Sequence, residues 1–154
     1  MYLLEKVEVT MNFPAIILAA ALKAKVPGAL LLAICAHESG DFHLSYNPDD
    51  KGTPSYGICQ VKEDTAKMFG FDGDPKTLNN PKVSAKYAAR YLRFQVRRYG
   101  DDWCKLTAAY NAGTYKENKR HPGRPKNIGY VQEVQKKLAE DLRPKLSCEE
   151  VEKK

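Results

Sequence analysis

The stretch ALLLAICAHE, residues 29–38, is apolar on every side of a helical wheel until its last two positions. A helix of that kind has to be surrounded by protein, so it forms the centre of a packed domain and not its surface. It ends on Glu38, and the pair Ser39-Gly40 follows at once. A carboxyl group placed there meets the negative end of the helix dipole, with Leu32, Ile34 and Cys35 on the preceding turns. The dipole and desolvation both disfavour the ionised form, so the pKa of Glu38 is expected to rise and its proton to be retained near neutrality. That is the state a general acid needs. Ser39 and Gly40 end the helix and open a loop, which sets the carboxyl at the floor of a cleft.

The flanking sequence reads as further helices packed around this one. Residues 1–12 form a short lead-in, and a helix from about Pro14 to Lys25 is interrupted by Pro27-Gly28. The central helix then runs from Ala29 to about Ser39. From Gly40 to Pro54 the composition turns to Asp, Asn, Pro, Gly and Tyr, a loop or short hairpin. A short helix covers Lys62 to Phe69. Asn80-Pro81 supplies an N-cap and a first-turn proline, and Gly100 a stop, so Pro81 to Tyr99 is one long helix. Its flanks carry Lys86, Arg90, Arg93 and Arg97. Asp101 or Asp102 caps a helix from Trp103 to Tyr110, closed by Asn111-Ala112-Gly113. Thr114 to Gly129 is a basic loop, too rich in Pro and Gly for regular structure. A last helix from about Tyr130 to Leu142 stops before Pro144, leaving a charged tail over 144–154. The expected architecture is mainly α, a single domain over 13–143, with a small β-hairpin or loop region near 41–60.

The chain's 154 residues, 43% of them hydrophobic, suffice for one core. Lys and Arg number 25 against 19 acids, a net charge of +6, which points to polyanionic or anionic partners: bacterial wall, nucleic acid or lipid headgroups. The apolar run Phe13 to Leu22 is too short to span a bilayer. Glu5 and Glu8 outweigh Lys6 in front of it, unlike a secretory signal. The expectation is therefore a chain made in the cytoplasm, without membrane insertion, that reaches any external substrate by another route. The four cysteines have no CxxC spacing, and the three histidines complete no zinc pattern, so neither metal nor cofactor is expected. Cys35 and Cys59 lie in apolar runs and read as buried free thiols, while a Cys104–Cys148 bridge stays open.

Three segments, in order, resemble the lysozyme-like domain of the soluble lytic transglycosylase family. AICAHESG (33–40) is similar to its catalytic-glutamate helix, SYGICQV (55–61) to its S-x-G-L-M-Q-[IV] segment, and AAYNAG (108–113) to its A-Y-N-A-G run. Tyr130-Val131 with Val134 is similar to the tyrosine-bearing helix that closes the domain. The resemblance implies a lysozyme-like fold around a glycan-binding cleft, with peptidoglycan strands as partner; a monomer is the separate expectation. It implies Glu38 as sole catalytic acid and base, with Ser55, Gln60, Tyr110, Asn111 and Tyr130 binding substrate. Two departures stand out: Cys59 where the family usually has methionine, and no glutamate in the Asn127-Ile128-Gly129 stretch before the last tyrosine.

In that family the glutamate protonates the glycosidic oxygen, the sugar's own 2-acetamido group supports the cationic centre, and the 6-hydroxyl closes a 1,6-anhydro ring. Asp41, Asp49, Asp50, Glu63 or Asp64 could instead orient a water and give a hydrolase like the goose-type lysozymes. Gly57 reads as a place where a polysaccharide passes close to backbone. The setting expected is phage lysis or wall penetration. A basic nucleic-acid-binding protein, supported by charge alone, and an inactive glycan-binding relative are the readings from other classes.

Overall fold

The computed structural model describes residues 12–43 and 46–148. The central helix is α2 (Gly28–Ser39), with Leu30, Leu31, Ala33, Ile34, Cys35 and Ala36 buried on all its sides. Helix α1 (Phe13–Ala24) precedes it; the Asn12 side chain accepts from the Ala15 N–H and Pro14 sits in its first turn. Three antiparallel strands follow, in the order β1 (Tyr46–Asp50), β2 (Thr53–Tyr56) and β3 (Val61–Lys62). Tyr46 pairs with Tyr56, and Ser55 with Lys62. Then come α3 (Glu63–Met68), a 3-10 turn at Pro75–Asn79, α4 (Pro81–Tyr99), α5 (Trp103–Ala112), α6 (Ile128–Lys137) and a second 3-10 segment at Glu140–Leu146. Helices α1, α4, α5 and α6 all contact α2.

Local chemistry sets most boundaries. Asn80 caps α4 through bonds from the Lys82 and Val83 N–H groups, and Asp102 caps α5 through the Lys105 N–H. The end of α2 is a left-handed turn at Gly40, with Asp41 and Phe42 also at positive φ. Ser39, fully buried, donates to the Cys35 carbonyl and accepts from the Phe42 N–H, so its hydroxyl locks the turn that follows Glu38.

The mainly α fold with a β-hairpin near 41–60 is present, the hairpin being β1 and β2, and SYGICQV turns back to extend it by β3. Several expectations are revised. The last helix starts two residues earlier and ends at Lys137, since Leu138 is extended and restarts the chain as a 3-10 segment. Pro144 to Cys148, read as tail, continues the packed fold: Leu146 is buried and Cys148 is bonded to Cys104. Residues 1–11 of the lead-in and 149–154 of the tail lie outside the described residues.

The clearest correction concerns Cys35 and Cys59, which form a disulfide and not a pair of free thiols. The apolar runs that suggested inert thiols are the two segments the fold presses together, with Cα atoms 4.1 Å apart. Gly57 is also reassigned. At φ +78 a Cβ there would run into the Leu78 carbonyl and the Ser84 side chain, so the glycine permits tight packing of the β2–β3 turn on α4, and it does not line the cleft.

Candidate active site

Glu38 reaches its position because α2 is one of the most buried elements of the domain and ends at the floor of a cleft. The cleft, of about 280 Å³, is lined by Glu38, Asp50, Gln60, Lys62, Tyr110 and Asn111, among others. One wall is the β-sheet, and the other is the end of α5.

The Glu38 side chain is half-buried. Burial is the main cause that pushes its pKa up, and the nearby Asp50 adds to it. The Tyr130 hydroxyl, donating to Glu38 Oε1 at 2.6 Å, acts in the opposite direction by favouring the carboxylate, as do Lys51 and Lys62 more weakly. Burial wins, and the net direction is upward. Tyr130 itself comes from α6, 92 residues further along the chain, and His37 packs edge-on against its ring with centroids 5.0 Å apart. Burial, with the adjacent Glu38, holds the Tyr130 hydroxyl well above the usual range, so it stays a donor.

The other predicted residues divide by position. Gln60 lines the cleft at positive φ, its Oε1 accepting from Ser55 Oγ at 2.7 Å and its Nε2 donating to the Gly57 carbonyl at 2.8 Å. Ser55 is fully buried behind it and does not line the cleft. Tyr110 lines the cleft, its ring 5.0 Å from that of Tyr91, and burial raises its hydroxyl far above the usual value. Asn111 accepts from Asn127 Nδ2 at 3.0 Å, and the same amide group donates to the Ala108 carbonyl. Asn127 therefore ties the end of α5 to the start of α6 with a neutral amide.

Some lining groups were not singled out from the sequence as site residues. Tyr91, Lys51, Lys62 and Thr65 all face the cleft. Tyr91 gave only a helical-spacing signal on α4, and the lysines gave only charge. The C-terminal end of α5 is also gripped from α4: buried Gln95 donates to the Ala109 and Gly113 carbonyls, and Arg98 to Gly113 and Thr114. Among the five acids weighed as a second carboxylate, Asp41 pairs with Lys137, Asp49 caps the Gly52 N–H, Glu63 pairs with Lys67 and Asp64 is exposed. Asp50 alone of the five lines the cleft.

The model of the transglycosylase SLT domain family matches residues 15–129, well over half of the chain. The chain belongs to that family. The SLT match ends one residue before Tyr130, so that tyrosine's link to Glu38 is read from the geometry. The SLT domain is similar to Protein IpgF of Shigella sonnei and of Shigella flexneri, each 33% identical over 97 residues. Those alignments cover 62% of this chain and 63% of each relative, so they span less than two thirds of either. In structure, the SLT domain is similar to an inactive mutant of the lytic transglycosylase Slt from Pseudomonas aeruginosa. That likeness has a TM-score of 0.58 at 19% identity, over 90% of this chain and 23% of the larger one, and it establishes the shared fold. The SLT fold accounts for a mainly helical domain with a small sheet. Among its described residues no helix is long and apolar enough to cross a membrane.

Proposed function

We propose that the protein is a peptidoglycan lytic transglycosylase that cleaves the β-1,4 bond between N-acetylmuramic acid and N-acetylglucosamine, with Glu38 as sole acid and base. The observation that carries this reading is one carboxyl, kept proton-binding by burial and oriented by Tyr130, at the floor of a cleft. Tyr130 occupies Oε1, which leaves the proton on Oε2. That proton passes to the glycosidic oxygen as the C1–O bond breaks, and the 2-acetamido oxygen supports C1. Glu38 then takes a proton from the 6-hydroxyl, whose oxygen bonds to C1 and releases the acetamido group; no water is consumed. Gln60, Tyr110 and Asn111 are the saccharide contacts in this scheme, and Ser55 positions Gln60.

A second reading rests on Asp50, which shares the cleft and could hold a water for hydrolysis. Mass spectrometry of peptidoglycan digested by the pure protein separates the two. Anhydro-ended fragments are expected; free reducing ends transfer the reading to a lysozyme, and an absence of fragments removes both.

The acid limb gives a further expected outcome. Since the first step needs protonated Glu38 and burial raises its pKa, the alkaline-side fall of kcat/KM is displaced upward from that of an ordinary glutamate. Tyr130→Phe removes a hydrogen bond that favours the ionised form. It is expected to move that limb to still higher pH while lowering kcat by about 10- to 100-fold, the loss typical of a hydrogen bond to a charged group. A pH–rate profile of both proteins checks it; an unmoved limb leaves Tyr130 with no part in tuning the acid.

The two disulfides support a chain that works in an oxidising compartment, as a wall enzyme does. The net charge of +6 supports adhesion to the anionic wall. Phage lysis or wall penetration is the setting we attach to this activity. Recovery of the chain from the periplasm of an uninfected host would remove that setting and leave the chemistry standing.

A further inference from the structure

Helix α1 buries Ile17 and Ala21 and turns its opposite side outward. That outer side is not polar. Ala15, Leu18, Ala19 and Leu22 form an exposed stripe at helical spacing, with Leu22 81% and Leu18 42% exposed. A lone exposed leucine is ordinary, but a continuous apolar stripe on a helix is not. Beside it, between α1 and α4, lies an open groove of about 620 Å³ whose floor includes Ile16 and Ala20. Its rim carries Lys23 and, one turn apart along α4, Lys82, Lys86 and Arg90. Neither α1 nor α4 contains a single Asp or Glu. None of the groove's lining residues lines the Glu38 cleft.

The charge pattern selects the occupant. A rim of four cations without an acid repels a second copy of the same face and attracts a dense array of negative charge. The apolar stripe requires something that accepts hydrocarbon without fixed register, and the rim offers no neutral polar group to set one. We propose that the α1–α4 face docks peripherally on a bilayer containing anionic phospholipid. Leu18 and Leu22 enter the headgroup–acyl boundary, and Lys23, Lys82, Lys86 and Arg90 lie against lipid phosphates. The cleft is built from other residues. This surface is independent of the glycan chemistry.

Co-sedimentation of the full chain with vesicles tests it, using pure phosphatidylcholine against phosphatidylcholine containing about 30% phosphatidylglycerol, a strongly negative surface. Binding is expected to the anionic vesicles alone and to weaken at high salt. Leu22→Glu is expected to lower the partition coefficient at least about tenfold by forbidding insertion, and K82Q with K86Q about tenfold or more through lost phosphate contacts. Both sets lie on the surface and outside the cleft, so wall cleavage in solution serves as the control for folding. Absence of anionic-vesicle binding, equal binding to neutral vesicles, or full binding by L22E each overturns the proposal. So does a dimer in solution that L22E dissociates.

Discussion

Glu38→Gln is expected to slow glycan cleavage by about three orders of magnitude or more, because one side chain is asked to act as acid and then as base. The substitution is nearly isosteric, and the amide oxygen can still accept from Tyr130, so the cleft should keep its shape. Only the transferable proton is lost. The same change should leave stability intact, and at neutral to alkaline pH increase it. Burial raises the pKa of Glu38 in the folded state, so its stabilising protonation is complete below the unfolded value and is lost as pH rises through the folded one. The wild-type melting temperature should therefore decline over that interval while that of the glutamine variant does not. Initial rates of muropeptide release, set beside melting curves across pH, check both halves. A variant within tenfold of wild-type rate would mean that the proton comes from elsewhere.

The second large effect belongs to the Cys35–Cys59 disulfide. It joins α2, three residues before Glu38, to the segment ending in Gln60, across 24 positions of sequence. Loop-closure entropy for a ring of that size gives about 3 kcal/mol of stability. For a domain of this length that corresponds to a fall in Tm of roughly 10 °C when both cysteines become alanine. The loss should extend to activity, since the bond pins the acid's helix to the wall that carries Gln60. Calorimetry of the double alanine variant, and of the wild type with and without reductant, measures it. Identical melts together with free thiols at both positions would show that the bridge does not form in solution.

Legibility in the sequence followed the range of the interaction. Where a boundary was decided within a few residues, as by Asn80-Pro81 and Gly100 around α4 or Asp102 before α5, the residue pattern located it. The place of Glu38, at the end of a buried helix and on a cleft, was legible because an all-apolar helix and its terminator surround it in sequence. What could not be read locally was pairing across distance. Each of Cys35 and Cys59 looked like a small hydrophobe in its own segment, and only the fold brings the two sulfurs together. The Cys59 departure from methionine was visible, but its partner was not. Likewise Ser55 and Gln60 pointed to the cleft as a pair, whereas the structure stacks them, one behind the other. Asp50 emerged from five candidate acids only because the other four are tied to their own neighbours or exposed.

The hydroxyl that steers the acid arrives from 92 residues downstream, and this separation orders events during synthesis. A chain synthesised only as far as α2 and the sheet holds Glu38 but not the hydroxyl that orients it. In the scheme proposed above, competence therefore waits for the last helix, and a chain cut before Tyr130 would leave Glu38 without its donor.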